Sequence, residues 1–264
     1  MSLMSTRKSP SVILITGASS GIGRALALRY AANGVFLALS GRDEGRIEEV
    51  ARLCREKGAA VDIAVLDVTN RGAMEDWIAE IEEDGRPIDL VIANAGISGG
   101  TGGVMNGEPA DQARAIFETN VIGVLNTVEP VLPRMAARKS GQVVFISSMA
   151  GFRGFPSAPA YSASKGAVRF YGEALRGAMA DTGVKVNVVC PGFVKTPMTD
   201  ANDFPMPFLM DVEQAADIIV RGIAADKGRI AFPLPVHGMS WLLSVLPDCA
   251  AQYILRALPA KHAR

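Results

Sequence analysis

The sequence predicts an α/β fold, a doubly wound parallel sheet of about seven strands in a single domain with a helical C-terminal extension. Three observations predict it. Short apolar runs alternate with longer stretches of helical period along the 264 residues. The runs are apolar at nearly every position, as strands covered on both faces are. Residues with chemical potential cluster just after the runs, where doubly wound sheets hold their ligands. Repeated strand–helix units joined by right-handed crossovers build such a sheet.

The first strand, "SVILIT" (11–16), runs into "TGASSGIG" and a helix at 21–33. Gly17, Gly21 and Gly23 span the turn. Glycines let the backbone turn tightly and approach a pyrophosphate, while the helix offers unpaired N–H groups and its positive dipole end. Alone, the motif equally fits a flexible helix entry. Its place between a first strand and a helix is the context of dinucleotide binding, which makes the sheet Rossmann-type. The second strand, "VFLALS" (35–40), precedes a helix at 43–57. An acid at its end would bond the ribose of NAD and repel a 2′-phosphate. Here Gly41 stands instead, and Arg42 offers a guanidinium fork to that phosphate, with Arg24 as a candidate helper. NADP(H) is the expected cofactor. NAD(H) is the alternative, with Arg42 a solvated loop residue beside Asp43.

The third strand, "VDIAVLD" (61–67), places Asp67 where it can accept from an adenine amino group, and a helix follows at 71–85. After the fourth, "IDLVIAN" (88–94), "ANAG" sets Asn94 to satisfy loop backbone and Gly96 to let a cofactor pass. For Asp67 and Asn94 a structural turn role is an equal alternative. Asn120 lies in a long helix predicted at 111–138, where asparagine has poor propensity. An inward amide there could hold a water. The fifth strand, "QVVFIS" (142–147), ends at Ser147 and Ser148, and the Ser148 hydroxyl can bind a substrate oxygen.

A helix at 159–182 carries "PAYSASKGA", with Tyr161 and Lys165 four residues apart on one face. A free phenol has a pKa near ~10. A cation ~4–6 Å away favours phenolate, and two units of lowering correspond to about 2.7 kcal/mol. A phenol so tuned exchanges a proton with a carbonyl or alcohol as a hydride moves. Strand six, "VKVNVVC" (184–190), leads to "PGFVKTP", and "RIAFPL" (229–234) is the seventh strand. Between them, residues 197–212 read as a substrate lid with apolar Phe204, Met206, Phe208, Leu209 and Met210, facing Phe152 and Phe155 as an opposite wall. That composition favours a hydrophobic substrate.

The remaining composition excludes several classes. The 27 basic and 27 acidic residues balance, so nothing attracts nucleic acid. Cys54, Cys190 and Cys249 are widely spaced without a CxxC pair, against a disulfide framework or a metal site and in favour of a reducing cytoplasm. No run approaches the ~18 apolar residues of a membrane span. Residues 1–10 are expected to be disordered or a tag remnant. The tail, 235–264, is apolar, broken by Pro247 and Pro259, and basic at its end. It is expected to fold back on the domain, with an oligomer surface or peripheral membrane association as alternatives.

Together, "TGASSGIG", "ANAG", Asn120, Ser148, "YSASK" and "PGFVKTP" resemble the short-chain dehydrogenase/reductase family over residues 11–199, in its TGxxxGxG branch. The resemblance implies an enzyme interconverting a carbonyl and an alcohol, with the NADP preference read from Gly41 and Arg42. It implies Tyr161 as acid/base, Lys165 as its tuner and a nicotinamide-ribose ligand, Ser148 as substrate polariser and Asn120 as proton-relay anchor. The cofactor is expected against Gly17, Ser19, Ser20, Gly21, Ile22 and Gly23, then Arg42, Asp67, Val68, Asn94, Ala95 and Gly96. Tyr161, Lys165, Pro191, Gly192, Val194 and Thr196 complete its contacts, Thr196 near the carboxamide. A homodimer or homotetramer is implied, although the tail replaces the glycine-rich "DGG" segment that supports the tetramer in many relatives. The alternative is a non-catalytic cofactor-binding or interaction protein on the same scaffold.

Overall fold

A computed structural model describes residues 10–101 and 107–256. Seven parallel strands form one sheet in the order β3-β2-β1-β4-β5-β6-β7. They are β1 (Val12–Thr16), β2 (Phe36–Gly41), β3 (Ala60–Val65), β4 (Leu90–Ala93), β5 (Gly141–Ile146), β6 (Val184–Pro191) and β7 (Arg229–Phe232). The order reverses between β1 and β4, which opens a crevice at their carboxyl ends.

Alternation along each strand divides the core in two. On one face Val12, Leu14 and Val91 meet Met74, Trp77 and Ile78 of α3 (Arg71–Glu83), Val124 and Val128 of α5 (Gly123–Val128) and Val168 of α7 (Pro159–Ala178). On the other, Ile13, Ile15 and Leu39 meet Leu26 of α1 (Gly21–Tyr30), Ile47 and Val50 of α2 (Glu44–Glu56) and Ile219 of α9 (Val212–Ala224).

The helix predicted at 111–138 is broken. It comprises α4 (Ala110–Phe117), a π segment (Glu118–Ile122), α5 and α6 (Leu132–Ala137). Pro130 lacks the N–H that would continue α5, and Pro133 restarts the chain in the first turn of α6. The π segment surrounds Asn120, whose side chain is drawn to a distant loop. The first helix stops at Tyr30 rather than 33, before the Asn33–Gly34 turn, where Gly34 has φ +80. The helix predicted to 182 ends at Ala178.

Residues 197–212 hold only a short helix, α8 (Pro197–Asp200), and an irregular stretch pinned by a bridge between Val194 and Met210. The described part of the tail, to Arg256, lies back on the domain. It forms α10 (Leu234–Val245) and α11 (Asp248–Arg256), which bury Ser240, Ala251 and Leu255. Arg153 and Asp248 join it to the domain at 2.6 Å. Trp241, Leu242, Val245 and Tyr253 remain exposed on its outer side. Residues 1–9 and 257–264 lie outside the described residues, as does the expectation of a disordered or tag-derived start. No helix among the described residues is long and apolar enough to cross a membrane.

The helix α7 lies unusually close to the sheet. A Cβ added at Gly172 would come 2.6 Å from Val188 Cγ2 and 2.9 Å from Phe145 Cδ2. Gly172→Ala should therefore cost about 1–3 kcal/mol through overpacking. Thermal denaturation should show a fall of roughly 2–4 °C for each kcal/mol. An unchanged midpoint would mean that the helix moves away freely.

Candidate active site

The residues singled out in the sequence converge on one cavity of about 340 Å³ at the carboxyl ends of the strands. Its lining includes Gly17, Ser19, Ser20, Gly21, Ile22, Arg42, Asp67, Val68, Asn94, Ala95, Gly96, Ser148, Tyr161, Lys165, Pro191, Gly192, Val194 and Thr196. Two expected residues stand behind that lining. A Cβ at Gly23 would lie 2.4 Å from Gly17 O, so this glycine serves the packing of α1 against the turn. Asn120 is fully buried.

The turn after β1 fits a dinucleotide. Gly17 and Gly21 adopt φ +65 and +53, and a Cβ at Gly17 would lie 2.8 Å from Ala95 Cα. Ser20 makes no capping bond to α1, so the helix's first N–H groups are free for an anion. Asn94 takes the structural role left open for it. Its Nδ2 donates to Thr16 O at 2.9 Å and Gly17 O at 3.1 Å, bracing the glycine turn from the neighbouring strand end. Asp67 also has its turn role, accepting from Thr69 N at 2.9 Å.

Arg42 is not an isolated loop residue. Its guanidinium stands 3.5 Å from Asp67, which holds it at the mouth of the cavity. Partial burial pushes the Asp67 carboxyl up, but bonds from Thr69 and the Arg42 charge outweigh that and leave it below its usual range. Arg46 lines the same mouth, paired with Asp43 at 2.9 Å. Sequence reasoning passed over Arg46, which stands in the first turn of α2.

At the other end, Tyr161 and Lys165 descend from α7. The Ser148 hydroxyl is a hydrogen-bond partner of the Tyr161 phenol and also accepts from Ala150 N at 3.1 Å. Lys165 is buried, donates from Nζ to Ile146 O at 2.9 Å, and has Nζ 6.0 Å from the Tyr161 ring centre. Ser147 donates to Lys165 O at 2.7 Å, so the end of β5 grips this lysine by both backbone and side chain. The sequence noted Ser147 without that role.

The ionisation differs from the sequence expectation. In the protein alone, burial raises the Tyr161 pKa, and the Ser148 bond only partly opposes it. Burial also pushes Lys165 down to about 8, against the influence of the Cys190 thiol. The low-dielectric site disfavours both charged forms, and the ammonium does not reverse this for the phenol.

Asn120 acts as a bracket. It accepts from Ile97 N at 2.8 Å and donates to Ile97 O and Ser164 Oγ, each at 3.0 Å. The strand-four loop, the π segment and α7 are thus tied together. A Cβ at Gly96 would meet Asn120 Oδ1 at 3.1 Å and Lys165 Nζ at 3.3 Å, so only a glycine fits without displacing them.

The expected substrate walls are partly displaced. Phe152 is a core residue, edge-on to His237 at 5.6 Å and under the Arg169 guanidinium at 4.6 Å. Phe155 lines a separate groove with Phe170 and Gln252. From residues 197–212 only Pro197, Met198 and Thr199 reach the cavity, while Phe204 packs on Phe193 and Phe208 and Leu209 are exposed. No cluster of metal ligands occurs among the described residues.

Comparison with known proteins agrees with this geometry. The short chain dehydrogenase family model matches residues 11–204. An uncharacterized oxidoreductase of Myxococcus xanthus is 39% identical over 237 residues, covering 89% of this chain and 92% of the relative. The structure of a short-chain dehydrogenase from Sphingobium yanoikuyae in complex with NADPH superposes with a TM-score of 0.77 at 29% identity, covering 96% and 98% of the two chains. A short chain dehydrogenase from Mycobacterium paratuberculosis bound to NAD gives 0.72 at 26% identity, covering 83% and 94%.

The buried lysine has a thermodynamic signature. The unfolded chain keeps Lys165 protonated to about pH 10.4, whereas the folded protein releases that proton near 8. Between these values the unfolded state binds more protons, so stability rises with pH. Below pH 8 the cost of burying the ammonium is present in full. Thermal scans of cofactor-free protein should show wild type gaining on Lys165→Met as pH climbs from 8 towards 10. Parallel curves would remove the buried-ammonium account.

Proposed function

The chain belongs to the short-chain dehydrogenase family and is an oxidoreductase of that family. From that premise we propose that it interconverts a ketone or aldehyde and the corresponding alcohol with NADP(H), on a hydrophobic substrate. The observation that carries this reading is the Tyr161 phenol, bonded to Ser148 at the cavity wall with Lys165 buried behind it. The dinucleotide, when bound, gives or takes the hydride. The glycine turn and the open end of α1 would hold its pyrophosphate, and Asn94–Gly96 with Pro191–Thr196 would contact its other half. Ser148 holds the substrate oxygen. Tyr161 donates a proton to that oxygen in reduction and removes it in oxidation. Burial keeps the phenol protonated, the form needed to turn a carbonyl into an alcohol. Lys165 steadies the phenolate left behind, and Asn120 holds the segment through which the proton returns.

Three features support the finer points. The NADP preference rests on Gly41, on Arg42 held by Asp67, and on Arg46 beside them. The substrate class rests on the apolar lining residues Pro197 and Met198 and the apolar stretch that follows. A homo-oligomer fits the exposed Phe117, Ile122, Phe170 and Tyr171 on α4, the π segment and α7, and a reducing cytoplasm fits the free thiols of Cys54, Cys190 and Cys249.

Two measurements test the reading. Tyr161→Phe should leave NADPH affinity nearly intact and lower turnover of a ketone panel by about 10²–10⁴-fold. Turnover equal to wild type would remove the assignment. In fluorescence titrations, Arg42→Ala should weaken NADPH by about tenfold and NADH hardly at all. That is the low end for charged hydrogen bonds, because Arg42 is largely exposed. Gly41→Asp should shift preference towards NADH. Its Cβ meets Ser19 at 3.1 Å, a contact that Ser19 must relax slightly. A wild-type protein that already prefers NADH defeats the NADP reading.

A further inference from the structure

The start of α7 at Pro159, two residues before Tyr161, is not capped from within its own segment. Ala158 at the cap position has no hydrogen-bonding side chain, and Pro159 has no N–H. The Ala160 N–H donates instead to the Glu108 carboxylate at 2.8 Å, across 52 residues of sequence. The second carboxylate oxygen accepts from Gln112 Nε2 at 3.1 Å, and the same nitrogen reaches Gly100 O at 3.0 Å. A Cβ at Gly99 would collide with Gln112 Cδ at 2.3 Å, so the loop backbone lies directly on this amide. Nearby, Thr101 N donates to Ser157 O at 3.1 Å. The chain leaving β4, whose first residues line the cavity, is thus fastened to the start of α7 at two places.

We infer that Glu108 is a positioning residue for the reaction proposed above, on which this inference rests. It fixes the first turn of α7, and with it the Tyr161 phenol, relative to Ser148 and the loop after β4. A carboxylate suits the task, because its charge meets the positive end of the helix and strengthens the bond to Ala160. Glu108 is not among the cavity-lining residues, so it acts through placement alone. Placement matters here, since a shift of about 1 Å at a reacting group can cost about 10²-fold in rate.

The test compares Glu108→Ala, Glu108→Gln, Glu108→Asp and Tyr161→Phe in the intact protein, with NADPH titrated by fluorescence and turnover followed on the ketone panel. Glu108→Ala should lower kcat about tenfold or more while NADPH affinity stays within about twofold. Glu108→Gln should regain most of kcat, because its amide oxygen still accepts from Ala160. Glu108→Asp, with its acceptor drawn back, should lie between. A Glu108→Ala kcat within about twofold of wild type overturns the proposal. So does a Gln variant no better than Ala, or parallel loss of NADPH binding. If Glu108→Ala does not fold, Gln should still exceed Asp, and the reverse order overturns the proposal. Tyr161→Phe separates the two readings. Should it keep full turnover, the reaction assignment fails and takes Glu108's role with it. Should it be inactive while Glu108→Ala is normal, only Glu108's role falls.

Discussion

The constraint on which the site depends is the distance between α7 and the ends of β5 and β6. Gly172 removes the side chain that would hold the helix away from Val188 and Phe145. Gly151 does the same one layer higher, where a Cβ would sit 2.7 Å from the Lys165 carbonyl. Ser147 then reaches that carbonyl, Arg169 donates to Gly151 O at 3.1 Å, and Lys165 reaches Ile146 O. All three bonds span the gap that these glycines keep narrow. The pairing of Tyr161 with Ser148 is a consequence of this approach, because the two residues belong to different elements. Close packing of this kind transmits small displacements.

The same approach sets the electrostatics. Pressing a phenol and an ammonium into a dry wall penalises both charged forms, and the shifts run in opposite directions for that reason. The protein stabilises the lysine by one backbone carbonyl. Poor solvation keeps a proton weakly held on Lys165 and strongly held on Tyr161. The bracketing residues around Gly96 and Asn120 keep Lys165 next to the loop that lines the cavity.

The sheet was legible in the sequence because its signals are local. Strands buried on both faces are apolar throughout, and the seven runs match the seven strands to within a few residues. The cavity was legible because the topology sends every strand end to one edge. Features that depend on contacts between distant residues were not. Asn120 bends its helix into a π segment through bonds to Ile97, 23 residues away. Phe152 has the composition of a pocket wall, yet cation–π contacts with Arg169 and Arg229 hold it in the core. The Tyr161 shift was read from a neighbouring charge, whereas desolvation dominates, and burial is a property of the assembled fold.

The two halves of the cavity are built differently, and that difference follows from what each must recognise. The nucleotide half is built on regular elements. It rests on strand ends, glycines in left-handed conformations, and Asn94 bridging β4 to the turn after β1. Its ligand has fixed chemistry, so a preformed site loses little ordering entropy on binding. The other half is bordered by α8 and the irregular stretch after it, which the Val194–Met210 bridge and the contact of Phe193 with Phe204 hold to the chain leaving β6. Phe208 and Leu209 stand exposed in that stretch. Of this segment, Pro197, Met198 and Thr199 line the cavity, so its border there is set by α8. The nucleotide half is therefore a property of the sheet, whereas the opposite border of the cavity is a property of the segment hung from β6.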